Sequence, residues 1–259
     1  MTVSPTDPLL ADLKRLDGER FTTLLFAPQG WRAGLAALYA FNLELGLVRE
    51  RTLREPMAGH LRLQAWRDAL MAGGAGIPLL EILLGQGFES GPLLGLIDAR
   101  EGDLETEAPA RLADLEAYAG ATGGALGELA AAFLDGDAVA CQMSRDAGTG
   151  YALLGLMRAL PAHLAQGRRH LPQDLLPQAI KGPSPELCSA VARVAERAAA
   201  YLERVRLKDI PRAPRAACLC ALQAKTHLKR LKRAGFNPFD SRLSIPATRP
   251  LALWWGMRR

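Results

Sequence analysis

Carboxylates four residues apart share one face of a helix. Paired in that way, and completed by phosphate oxygens, they suit a hard, octahedral Mg²⁺ ion. The chain offers two such pairs, Glu101 with Glu105 and Asp103 with Glu107. Both lie in DAREGDLETEAP, beside a glycine and a proline, which reads as a solvated helix end and loop. The four histidines (His60, His163, His170 and His227) form no metal pair of the HExxH kind, and there is no GxSxG elbow, P-loop or GxGxxG turn. His163 falls one turn past Arg158 on a mainly apolar helix, where a structural role competes with a ligand contact.

Polar groups on otherwise apolar stripes are the next candidates. In LYAFNLELGLVRE, Asn42 shares the stripe of Trp31, Leu35, Leu38 and Leu45, and Glu44 that of Phe41 and Val48. Such groups are tolerated where they are hydrogen-bonded or line a cavity. Arg49 follows on the same segment, and Arg62, Gln64, Arg67 and Asp68 lie on the next helix. The expected arrangement pairs Arg62 with Glu44 across a helix interface and Asn42 with Gln64.

KTHLKRLKR gathers Lys225, His227, Lys229, Arg230, Lys232 and Arg233 around Leu228 and Leu231. Cations suit the C-terminus of a helix, so a solvated helix end is one reading. Attachment to an anionic membrane or an acidic partner is the other. LALWWGMRR favours the second modestly, because Trp254 and Trp255 with terminal arginines are similar to an interfacial anchor.

The elements that carry these residues are helices. Half the chain is hydrophobic (49%) but only 6% is aromatic, so Leu, Ala and Val build the core. Period-two β-branched runs are absent, and the class is all-α. Helices are expected over 8–16, 20–26, 31–52, a segment opened by Pro56 and closed by Gly73–Gly76, a short helix from Pro78, then 92–100, 138–167, 184–205 and 212–234. ARLADLEAYAGATGGALGELAAAFL is periodic, with Gly120, Gly123, Gly124 and Gly127 smoothing one face for a neighbouring helix or a ligand chain. No linker or repeat divides the chain, so one domain over 1–259 is expected, with a basic, Trp-containing tail from about 236. A net charge of +5 without aromatic-interleaved basic patches argues against nucleic acid. The four cysteines fit no zinc spacing and read as reduced and buried. The N-terminus reads as neither signal nor transit peptide, and no apolar run spans a bilayer. A soluble protein, cytoplasmic if bacterial, is expected.

LYAFNLELGLVRE, EPMAGHLRLQAWRDAL, IDAREGDL, LEAYAGATGGALGEL and GLMRALPAHLAQGRRHLPQDLL, in this order, resemble the squalene/phytoene synthase family. The resemblance implies an isoprenoid-synthase-type helical bundle around a central cavity, whose enzymes join two prenyl diphosphates using Mg²⁺ held by two aspartate-rich motifs. By an ungapped reading the first motif falls at Gly46 and Glu50, and the second at Gly155, Ala159 and His163. Only one carboxylate survives. The resemblance is strongest to a non-catalytic branch that includes a mitochondrial respiratory complex I assembly factor. It implies no cofactor, a complex I subunit or assembly intermediate as partner, and a place on the inner face of the membrane (the mitochondrial matrix side in a eukaryote). Asn42, Glu44, Arg49, Arg62, Gln64, Arg67 and Arg158 would then rebuild the former diphosphate end as a polar network. An altered prenyl-diphosphate transferase needing Mg²⁺, using Glu50, Arg158 and His163, and a non-catalytic isoprenoid or lipid binder are the alternatives.

Overall fold

The computed structural model describes residues 7–52, 55–105, 107–176 and 182–258, and among them all regular structure is helical. Helices α1 (Asp7–Leu16), α2 (Gly18–Leu24), α3 (Arg32–Gly46) and α4 (Val48–Arg51) come first in the chain. Then come α5 (Pro56–Met71), α6 (Pro78–Gly85), α7 (Ser90–Asp98), α8 (Leu112–Ala119) and α9 (Ala125–Phe133). The remainder comprises α10 (Ala138–Ala165), α11 (Pro185–Glu203), α12 (Arg215–Cys218), α13 (Cys220–Arg233) and α14 (Pro250–Arg258).

Local chemistry sets most of these boundaries. Pro56, Pro78 and Pro185 open helices where a missing N–H costs nothing. Asp17, Asp137 and Ser184 cap α2, α10 and α11 by accepting from backbone N–H groups three residues on. Gly73, Gly74 and Gly76 take positive φ after α5, a region closed to most L-residues.

Three expected helices are broken. The segment expected over 31–52 turns at Leu47, directly after the weak helix former Gly46, giving α3 and α4. The segment expected over 212–234 is divided at Leu219 into α12 and α13. Gly120–Gly124 form a π-helical turn between α8 and α9. The C-terminal stretch, expected as a tail, forms α14. The loop LPQDLLP reaches residue 177, outside the described residues.

The packing centre is α10, flanked by α9, α11 and α13. One apolar cluster is built on α3, with Leu35, Leu38, Phe41 and Leu45 against α5, α6, α7 and α9. A second is built on α10 and α11, with Leu153, Met157, Val191, Val194 and Leu202. The α9–α10 seam joins them with backbones almost in contact. A Cβ added at Gly123 would lie 2.6 Å from the Gly148 carbonyl oxygen, and one at Gly124 2.5 Å from Thr149 Oγ1. The small residues therefore receive a helix, not a ligand chain. The space between Tyr39, Gly123, Gly148, Tyr151 and Cys220 is about 10 Å³, room for one water at most.

Candidate functional site: a buried arginine cluster and a buried carboxylate hub

Asp103 sits in a 3₁₀ turn (Glu101–Asp103) after α7 and is only 4% exposed. The polar sequence around it suggested a solvated loop, but residues distant in sequence close over it. Tyr118 from α8 donates to its Oδ1 at 2.5 Å, Arg168 donates to the same oxygen, and Arg100 Nη1 donates to Oδ2 at 3.2 Å. Arg100 Nη2 also donates to Asn42 Oδ1 at 2.9 Å. Arg49 donates to the backbone carbonyl of Asp103 at 2.7 Å. Burial alone would raise the Asp103 pKa, but Arg100, Arg168 and Tyr118 overcome it and hold the carboxyl below its usual range. Burial, and then the Asp103 charge, push Tyr118 up to about 12, so it stays protonated as the donor.

His163 and His170 complete the cluster, with ring centroids 4.4 Å apart. Burial and then Arg168 lower their pKa values, to about 4 for His163 and about 2 for His170. Both are neutral at physiological pH.

A second network is centred on Glu19 of α2, 5% exposed. Its carboxylate accepts from Tyr151 Oη (2.8 Å) on α10 and from the Ala247 backbone N–H (2.7 Å) ahead of α14. His227 Nε2 lies 2.8 Å from Glu19 Oε1, and Arg158 Nη1 3.4 Å from that oxygen. Burial opposes ionisation of Glu19, but the His227 hydrogen bond and charge, the Ala247 N–H and Arg158 hold its pKa near 2. Burial keeps His227 below its usual range against the pull of the Glu19 carboxylate, and Arg158 Nη1 lies 2.8 Å from the same Nε2. The backbone oxygen of Glu19 also accepts from Gln223.

The structure places the sequence candidates as follows. Asn42, Arg49 and His163 join the Asp103 cluster, and Arg158 joins the Glu19 hub. Glu44 does not meet Arg62; it forms an ion pair with Arg51 at 2.5 Å across the α3–α4 turn. Gln64 does not meet Asn42; it donates to Asp68 one turn on. Arg62 is exposed on α5, while Arg67 binds Asp98 and Glu101. The reason is register: the exposed face of α5 carries Arg62 and Gln64, whereas Leu63, Trp66 and Leu70 turn inward. Asp103 is the one member of the expected acidic pairs that is buried. Glu19, Arg100, Tyr118, Arg168, His170 and His227 were missed as site residues. IDAREGDL and GRRHLP carried the signal for three of them, and a lone His in a basic helix for the last.

Of the positions assigned by resemblance to the metal motifs, Glu50 is exposed and Ala159 half-buried. A Cβ at Gly46 would lie 3.9 Å from the Arg100 guanidinium, and one at Gly155 would meet nothing within 4 Å. Among the described residues no three His, Cys, Asp or Glu side chains gather as a metal site. The donor set around Asp103 is cationic and its carboxylate is already paired, so these residues do not fit a Mg²⁺ cluster.

On the surface, Lys225, Lys229, Lys232 and Arg233 line a groove with Leu228 along α13. Arg230 instead turns to the Ile245 carbonyl. Gly256 of α14 packs on Leu222, one turn before this stripe, and α14 leaves Leu251, Trp254 and Trp255 exposed, with Arg258 stacked 4.0 Å from the Trp254 ring. Cys218 and Cys220 are buried, but Cys141 and Cys188 are half-buried; all four are free. Among the described residues no helix is long and apolar enough to cross a membrane.

The family described as squalene/phytoene synthase matches residues 13–249. The chain belongs to the squalene/phytoene synthase family. Its fold matches a dehydrosqualene synthase crystal structure with a TM-score of 0.80 at 17% identity, covering 97% of this chain and 94% of that one. It also matches squalene synthase HpnC from Alicyclobacillus acidocaldarius with a TM-score of 0.74 at 23% identity, covering 90% and 95%. The isoprenoid-synthase-type all-α fold is thereby shown. Among curated proteins, the chain is 26% identical to NADH dehydrogenase (ubiquinone) complex I, assembly factor 6, of Mus musculus, over 89% of this chain and 75% of that one. The Homo sapiens protein of the same name is 25% identical over the same shares.

Proposed function

We propose that this member of the family is a non-catalytic factor that binds a subunit or assembly intermediate of respiratory complex I. The observation that carries the reading is the centre around Asp103. Guanidinium groups and neutral imidazoles gather beside Gly46 and at His163, positions that the family resemblance assigns to the aspartate motifs, where a synthase would need free carboxylates to hold Mg²⁺ and neutralise a departing diphosphate. The likeness to proteins named complex I assembly factor 6 supports complex I as the source of the partner.

The protein works as a peripheral factor on the inner face of the membrane. Supporting this placement are the exposed Trp254, Trp255 and Leu251 beside the basic stripe of α13, apolar anchors next to charges that suit an anionic surface.

The test is a deletion strain examined for assembled complex I by native electrophoresis and NADH dehydrogenase activity, with a product assay on the purified protein. Loss of the complex, restored by the wild-type gene, supports the proposal. Mg²⁺-dependent product from farnesyl or geranylgeranyl diphosphate would overturn it in favour of an altered transferase. Retention of an isoprenoid without product, with complex I intact, would make the protein a carrier.

A further inference from the structure

The centre of the bundle is closed, with about 10 Å³ left beside Tyr39, Gly123 and Tyr151. On the outside, a cleft of about 500 Å³ opens between α1, α2 and the start of α3. Its apolar walls are Leu10 of α1 and Phe21, Leu24 and Leu25 of α2 and its end. Ala11 and Ala33 also line it, and neither side chain is long enough to fill the space. Arg32 fixes the far wall, donating through Nε to the Ala27 carbonyl (2.9 Å) and through Nη2 to that of Leu25 (2.8 Å). Leu25 is left 48% exposed, an aliphatic side chain open to solvent inside a concave apolar surface. Clefts of about 300–1,000 Å³ enclose a whole small ligand, so this one admits several side chains of a partner.

The border of the cleft is cationic. Lys14 and Arg32 stand on it, and among the described residues neither pairs with a carboxylate. Acids of the same segment are already taken, Asp12 by Arg15 and Asp17 by Arg20. An occupant that brings its own carboxylates therefore complements this edge. Backbone chemistry narrows the choice further. All regular structure among the described residues is helical, so there is no sheet edge for an extended strand to join. A helix satisfies its own backbone and can bury an apolar face here without stranding N–H or C=O groups.

We propose that the cleft between α1, α2 and α3 docks an amphipathic, acidic helix of a partner protein. Its apolar side chains seat on Phe21, Leu24 and Leu25, and its carboxylates face Lys14 and Arg32. The inference rests on the assembly reading for the identity of that partner, a complex I subunit or intermediate, and adds where it is held and by what chemistry. A bilayer is the poorer occupant, because no Trp or Tyr lines the cleft, whereas the exposed Trp254 and Trp255 lie on α14.

The experiment places a photo-crosslinking benzoylphenylalanine at position 25 of the full chain in cells, with position 57 on the exposed face of α5 as control. Mass spectrometry identifies the attached peptides. In parallel, a fluorescent amphipathic peptide of about 18 residues, long enough to hold a helix, is titrated against the purified chain. It carries Leu on one face and Glu on the other, and a second peptide has Lys for Glu. Crosslinks from position 25 alone to an acidic helical segment of a complex I subunit support the proposal, as does preference for the Glu peptide. Leu25→Glu weakens that binding about tenfold or more, and Lys14→Glu about threefold to tenfold. Ala11→Leu fills the cleft from within and blocks binding without lowering the melting temperature. Arg62→Glu, the same charge change on the exposed face of α5, leaves binding unchanged. Crosslinks to lipid, to a second copy or to nothing, equal binding of the two peptides, or an unaffected Leu25→Glu would overturn the proposal. Full restoration of complex I in the deletion strain by Leu25→Glu would also overturn it and leave the assembly reading standing. Intact complex I in the deletion strain removes that reading and, with it, the named partner.

Discussion

Replacing Glu19 by Gln tests whether the buried hub is a net source of stability. Glu→Gln keeps the shape and one acceptor but removes the charge that faces Arg158, the Ala247 N–H and His227. Folding lowers the carboxyl pKa from its ordinary 4.5 to about 2. Each tenfold change in proton affinity is worth about 1.4 kcal/mol, so the ionised form contributes about 3 kcal/mol. Because the folded-state value is depressed, this contribution is complete above pH 4.5 and fades as pH falls toward 2. For a chain of this size, about 2–4 °C is lost per kcal/mol, so Glu19→Gln lowers the melting temperature by about 6–12 °C at pH 7.5. Calorimetric scans from pH 7.5 to pH 3 measure it, and the gap between wild type and variant narrows below pH 4.5. A loss under about 2 °C at pH 7.5, or a gap that does not change with pH, would refute the reasoning.

Asp103→Asn leaves Arg100 and Arg168 facing no anion and costs about 3–5 kcal/mol in urea unfolding; Tyr118→Phe, which removes one hydrogen bond, costs about 1–3 kcal/mol. Gly148→Ala drives a methyl into the Gly123 backbone and destabilises by at least about 1–3 kcal/mol, whereas Gly155→Ala on the same helix meets open space and stabilises by up to about 1 kcal/mol. Equal effects of the two glycine changes on thermal unfolding would contradict the described seam. Trp254→Ala with Trp255→Ala reduces co-sedimentation with anionic vesicles while leaving the melting temperature within a few degrees; undiminished sedimentation would remove α14 from the membrane-facing surface.

Most helices were legible because Leu/Ala periodicity and Pro/Gly punctuation are local signals. The breaks at Leu47 and Leu219 and the π-helical turn were not, since a shift of one hydrogen bond leaves little mark in composition. The site shows the same limit at longer range. Asn42 was readable as a polar residue on a buried stripe, but its partner Arg100 lies 58 residues on. Asp103 is surrounded by acidic, loop-like sequence, and its burial is made by Tyr118 and by Arg168, 65 residues away. Glu19 was hidden for the same reason: a single acid in a short helix gives no hint that Tyr151, His227 and Ala247 converge on it.

That convergence has a kinetic consequence. The hydrogen bonds of Glu19 span 132, 208 and 228 residues, far beyond the local contacts that let helical chains fold quickly. Helices such as α10 and α11 can form and pair before α2 and the segment around Ala247 are brought together, because loop-closure entropy opposes contacts of that span until the intervening chain is ordered. The hub is then absent from the folding transition state. Changes at Glu19, Tyr151 or His227 speed unfolding and scarcely slow refolding, so the carboxylate governs the lifetime of the native state more than the time needed to reach it.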